Sequence, residues 1–291
     1  MSTLHTRSTA RLMLSPSVIL LFLWMIVPLA LTIYFSTLNY DLLGTGPRKF
    51  VGLLNYRFFL TDPGLLPAFF NTFLLVIGVL LITAVGGVLL SLLLNQEIYG
   101  RNVLRTVIVA PFFIMPTVAA LVWKNLIMNP TNGILAYLVS SLGFHPIDWF
   151  ANAPLFSIVI IVAWQWLPFA TLIILTALQS LDEEQLEAAE LDGAKSVAKF
   201  FYITLPHISR AIAVLVMIET IFLLSIFAEI LVTTNGGPGT ATTNLTYLIY
   251  SQALLQFDIG GASAGGIVAV VVANVIALVL VRMVGKNLDA Q

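Results

Sequence analysis

Six long apolar stretches, about residues 15–37, 68–94, 103–128, 155–179, 208–233 and 262–284, constrain this chain more than any other feature. A hydrocarbon core of about 30 Å takes roughly 20 helical residues at about 1.5 Å each, and every stretch reaches that length. Strands of a transmembrane barrel would alternate apolar and polar residues over only about ten positions. The expectation is an all-α membrane protein, a bundle of six helices in a lipid bilayer. The first stretch follows Arg7 and Arg11, as the core of a signal peptide would. It is too long for one, and no A-x-A-like cleavage site follows Leu31, so a retained helix is expected. With no tandem repeat or low-complexity tract, residues 1–291 are expected to form a single domain.

Composition excludes the main alternatives. Of all residues 59% are hydrophobic and only 9% charged, against roughly 25% charged in soluble domains. Mean hydropathy is +1.00, too apolar for a soluble enzyme or a disordered chain. A formal net charge of -1 leaves no basic footprint for nucleic acid. Cysteine is absent, which removes disulfides, thiolate metal sites and cysteine nucleophiles together. His5, His145 and His207 are too scattered to suggest a zinc site.

Orientation follows from the basic residues. One alternating set of connections holds Arg7, Arg11, Arg101, Arg105, Lys195, Lys199, Arg210, Arg282 and Lys286, while the other holds Arg48, Lys49, Arg57 and Lys124. That is 9 against 4 of the 13 basic residues. Both termini and the connections near 95–102 and 180–207 are therefore expected to be cytoplasmic. Segments 38–67, 129–154 and 234–261 are expected on the opposite side. Leu53 to Phe59, with Tyr56, Phe58 and Phe59 beside Arg57, reads as interfacial anchoring. Gly133 to Leu142, between Asn129-Pro130 and Gly143, reads as a short helix lying on the bundle.

Segment 180–207 breaks the charge rule. Asp182, Glu183, Glu184, Glu187, Glu190 and Asp192 place six of the 14 acids on the side where bases are expected. Ser180 and Glu183 have capping-box spacing, and Gly193 suits a left-handed helix end. A second short helix, about 195–204, would carry Phe200, Phe201 and Ile203, with Pro206 in the first turn of the next span. The result is a helix–turn–helix with acids on one surface and Ala188, Ala189, Phe200 and Phe201 on another. An acidic face fits poorly against anionic lipid, so a docking surface for another protein is expected.

Glu187-Ala188-Ala189, three residues, Gly193, nine residues, then Ile203-Thr204-Leu205-Pro206 matches all seven fixed positions of the EAA loop that this segment resembles, that of bacterial ABC-importer permeases. Asn235-Gly236-Gly237-Pro238-Gly239, Trp164, Pro168 and the region from Asn129-Pro130 to Gly133 resemble the carbohydrate-uptake, maltose-type branch. The resemblance spans roughly residues 10–285. It implies a six-helix permease bundle in the bacterial inner membrane, paired with a second homologous permease. It also implies two cytoplasmic ATPase subunits and a periplasmic solute-binding protein as partners. ATP and Mg would then bind in the ATPase subunits and no cofactor in this chain. Glu187, Ala188, Ala189, Asp192, Gly193, Ile203, Leu205 and Pro206 would couple the loop to the ATPase.

Polar groups inside a span face the bundle interior or a wet cavity. Val162, Gln165, Trp166 and Phe169 form one stripe of the fourth span, and Glu219, Phe222, Leu223 and Ile226 a stripe of the fifth at similar depth. Carboxylate, amide and aromatic groups together suit a neutral polyhydroxylated ligand, so Gln165, Trp166, Phe169, Glu219, Phe222, Leu223 and Ile226 are the expected substrate residues. These stripes resemble the maltose-contacting positions of that branch, with Gln165, Trp166 and Glu219 replacing smaller or less polar residues. Glu219 has a competing reading as a bond to a neighbouring helix. Glu229 lies about 80° around the helix from Glu219, which suggests a gate or packing role. Asn274 is read as packing. A proton-coupled secondary transporter using Glu219 and Glu229 is the alternative.

Gly261-Ala262-Ser263-Ala264-Gly265 fits the G-x-S-x-G nucleophile pattern but opens a membrane helix, where a small-residue packing surface is expected instead. No G-x-x-x-x-G-K-[ST] or H-E-x-x-H occurs. The sequon Asn244-Leu245-Thr246 is given no role.

Overall fold

A computed structural model describes residues 2–44, 48–97 and 99–289. Its helices in chain order are α1 Ser2–Ser36, α2 Leu54–Leu60, α3 Leu65–Asn95, α4 Arg101–Val109, α5 Pro116–Val122, α6 Ile134–Ser141 and α7 Trp149–Asn152. They continue as α8 Pro154–Leu178, α9 Glu183–Leu191, α10 Ser196–Lys199, α11 Leu205–Leu223, α12 Ala228–Thr233, α13 Leu245–Tyr250 and α14 Ile259–Asp289. A small antiparallel hairpin, β1 Leu38–Asn39 and β2 Lys49–Phe50, pairs Leu38 with Phe50 and Asn39 with Lys49. Among the described residues five helical stretches are long and apolar enough to cross a bilayer: Arg11–Ser36, Leu65–Asn95, Pro154–Leu178, Ser196–Leu223 and Ile259–Arg282.

The expected third span is not one straight helix. Arg101–Phe113 and Pro116–Ile127 meet at 106°. Met115 adopts φ -57 and ψ 137 because the Pro116 ring disfavours helical geometry in the residue before it. The fifth span is also interrupted. Its helix stops at Leu223, and α12 restarts at Ala228. At the other end it reaches back further than expected, since the chain is helical from Ser196 to Leu223. A π turn at Phe200–Thr204 joins the pieces, with the Leu205 amide donating to the Phe200 carbonyl. The widened turn accommodates the Pro206 ring, so the short helix and the span merge.

The chain divides into two compact units. In the unit made of Met1–Asp62 and Ile249–Val271, Asn55 is the polar hub. Its Nδ2 donates to the carbonyls of Ser36 at 2.9 Å and Leu38 at 2.8 Å, tying α2 to the end of α1. The Tyr56 hydroxyl lies 2.7 Å from Ser36 Oγ, and Phe59 is buried. Of the expected interfacial aromatics only Phe58 stays outward. The small residues opening α14 pack as expected. Asp258 Oδ1 accepts from the Gly261 amide, and a Cβ at Gly265 would fall 2.4 Å from Phe59.

In the unit made of Pro63–Leu248 and Val272–Gln291, α3 and α8 form the centre. Glycines allow the approach: a Cβ at Gly87 would lie 2.9 Å from the Ala170 Cβ, and one at Gly86 2.8 Å from Leu167. Ala170, Ile174 and Leu178 of α8 continue this core against Ile208 and Leu215 of α11.

Candidate functional site

The two broken spans form a cavity of about 590 Å³ lined by Phe112, Ile114, Pro116, Gln165, Trp166, Phe169, Ile218, Phe222, Ser225, Ile226, Phe227, Ala228 and Glu229. Each break leaves backbone groups without helical partners, and specific side chains satisfy them. Gln165 Nε2 donates to the Ile114 carbonyl at 3.2 Å. Asn244 Nδ2 donates to the Ile226 carbonyl at 2.6 Å, and Thr246 Oγ1 to the Leu224 carbonyl at 3.0 Å. The sequon, expected to have no role, thus supplies both bonds that hold the fifth span open. Lys124 Nζ donates to the Val232 carbonyl at 3.0 Å, closing the far end of α12.

The loop that follows α12 is locked by its glycines. Asn235, Gly236 and Gly239 take φ values of 52, 84 and 62, open to glycine without a Cβ penalty. A Cβ on Gly236 would fall 2.5 Å from the Tyr247 ring, whose hydroxyl donates to Asn235 Oδ1 at 2.9 Å. Asn71 Nδ2 fastens the loop to α3 through the carbonyls of Thr240 and Thr243, both at 2.9 Å.

Aromatic rings dominate the cavity wall. Phe112 stacks on Phe169 with centroids 5.8 Å apart, and Trp166 meets Phe169 edge-on at 5.8 Å and Phe222 at 5.3 Å. Five of the seven expected substrate residues line the cavity: Gln165, Trp166, Phe169, Phe222 and Ile226. Glu219 and Leu223 do not. Both are fully buried, and Glu219 Oε2 accepts a 2.6 Å hydrogen bond from Thr83 of α3. Its competing reading, a bond to a neighbouring helix, describes what is seen. The residue that lines the cavity instead is Glu229, 3% exposed. The signal available in the sequence was the acid itself, Glu229 within an apolar run, which was read as a gate or packing residue.

In the 180–207 segment, α9 is capped by Asp182, whose carboxylate accepts from the Glu184 amide at 3.1 Å. Ser180, expected as the cap, bonds the Ala177 carbonyl at 2.7 Å and faces His207 at 3.1 Å. The helix ends in a Schellman turn. Gly193 at φ 82 donates to Glu190, and Ala194 donates to Ala189, both at 2.9 Å. An ion pair between Lys199 and Glu190 braces the two arms. Glu187, Ala188, Asp192, Gly193 and Pro206 are exposed, whereas Ala189, Ile203 and Leu205 are half-buried. Leu205 packs onto the core shared by α8 and α11.

Residues 86–289 match the family described as "Binding-protein-dependent transport system inner membrane component". A probable ABC transporter permease protein, y4oQ of Sinorhizobium fredii, is 35% identical over 86% of this chain and 81% of its own length. The trehalose/maltose transport system permease protein MalF of Thermococcus litoralis is 33% identical, covering 86% of this chain and 85% of that protein. Among solved structures, a bacterial ABC transporter involved in the import of the acidic polysaccharide alginate superposes with a TM-score of 0.81. It is 25% identical over 98% of this chain and 97% of that one. The chain thus belongs to the inner membrane components of binding-protein-dependent transport systems, the membrane-spanning permeases of ABC importers.

Proposed function

We propose that this permease carries a sugar, polyol or related hydroxylated solute through the cavity between its two broken spans. The observation that carries the reading is the wall itself, with Trp166, Phe169 and Phe222 beside the Gln165 amide. Aromatic faces cover the C–H faces of a sugar, while amide and carboxylate oxygens accept from its hydroxyls. The trehalose/maltose relative supports that class. A proton-coupled carrier built on Glu219 and Glu229 has no place in an ABC family.

In this reading residues 1–291 work as one permease domain with both termini and the 180–207 loop in the cytoplasm. A second homologous permease completes the pathway, two ATPase subunits bind ATP and Mg, and a periplasmic binding protein delivers the solute. This chain contributes no catalysis. Glu187 and its neighbours seat on the ATPase, and Leu205 passes the motion to α8 and α11. Alternating access then opens the cavity to one side of the membrane at a time. Glu187→Ala in the reconstituted complex should sharply reduce solute uptake while ATP is still hydrolysed. Unchanged uptake would contradict the coupling role.

A further inference from the structure

Among the described residues Glu229 is the one charged group on the cavity wall, and no lysine or arginine lines it. Lys124 donates to the Val232 carbonyl at the opposite end of α12 and is not part of the wall. The other polar side chains are the Gln165 amide, whose NH₂ donates to Ile114, the Ser225 hydroxyl, which donates to the Phe222 carbonyl, and the Trp166 indole N–H. The side chains of the wall therefore carry one formal charge, and it is negative. The rings of Trp166, Phe169 and Phe222 add negative π faces. A solute rich in hydroxyls donates to the Gln165 oxygen and the Glu229 carboxylate, whereas a carboxylate, phosphate or sulfonate meets a like charge at Glu229.

Resting on the reading of this cavity as the solute path, we propose that Glu229 is a specificity-determining residue, a charge filter that admits neutral polyhydroxylated solutes and turns away anionic ones. The alginate transporter, whose cargo is an acidic polysaccharide, shares the fold, so the architecture alone does not fix the charge of the cargo. Where that carboxylate is ionised, the low-dielectric wall carries its field to an incoming anion.

The chain contains no cysteine, so Ser225→Cys places a single thiol on the same wall. In the full reconstituted complex, that thiol is labelled with cationic, neutral and anionic methanethiosulfonates at about 0.01 M ionic strength, where screening is weak. The cationic-to-anionic rate ratio, relative to a free thiol, should exceed unity by about tenfold or more. Adding Glu229→Gln should return the ratio to that of the free thiol, and Glu229→Asp should preserve it. The neutral reagent should react equally in all three, reporting that fold and access are unchanged. A ratio indifferent to Glu229→Gln overturns the filter. Whether labelling of the introduced thiol blocks solute uptake tests the underlying reading separately. A block with an indifferent ratio leaves the cavity as the path and removes the filter, while intact uptake after complete labelling removes the path itself.

Discussion

Glu219 and Glu229 show how far one side chain can be read from sequence. Their 80° separation assumed one continuous helix, which the break between Leu223 and Ala228 interrupts, and which of the two meets a neighbouring helix was not legible. That choice is made by α3, where Thr83 stands opposite Glu219 and donates at 2.6 Å. Thr83→Val leaves a buried carboxylate oxygen without its donor and should cost about 1–3 kcal/mol, measured by thermal unfolding of the purified complex. Because Glu219 lies outside the wall, the solute concentration for half-maximal ATPase stimulation should stay unchanged. Trp166→Ala should do the reverse. Removing the ring that touches both Phe169 and Phe222 should raise that concentration about tenfold, the equivalent of about 1.4 kcal/mol, with little change in unfolding temperature.

At the scale of elements, long apolar runs and the EAA spacing were legible because they rest on local periodicity and fixed turn chemistry. The breaks were harder to see. Met115-Pro116 carries a sequence signal for the first, but the second, at Leu224 to Phe227, has no proline or glycine within it. It exists because Asn244 and Thr246, some twenty residues later, satisfy the freed carbonyls. Asn244→Ala should therefore destabilise the complex by about 1–3 kcal/mol, seen as a lower unfolding midpoint; an unaltered midpoint would remove its anchoring role. Gly193→Ala forces a side chain into a left-handed turn at φ 82, although no atom lies within 4 Å of the added Cβ. The cost is about 1–2 kcal/mol of conformational energy rather than a clash. It should loosen the α9 end and leave ATP hydrolysis running with reduced uptake in vesicles.

For the whole molecule, the exposed apolar surface is the deciding property. Leu20, Phe22 and Trp24 of α1 are 66%, 60% and 79% exposed, and Val275 and Leu278 of α14 are 55% and 58% exposed. Such faces need lipid or another membrane chain against them, as expected of a subunit in a larger importer. Composition and hydropathy announced the membrane-facing surface, while the expectation of partner subunits came from the EAA-loop resemblance. The most direct test of an ATP-driven importer for hydroxylated solutes is ATPase activity of the reconstituted complex with its binding protein, measured against a panel of neutral sugars, polyols and their anionic derivatives. Stimulation by one neutral sugar or polyol, and not by its anionic counterpart, is the predicted result. Stimulation by an anionic or non-hydroxylated solute alone, or no association with an ATPase, would contradict it.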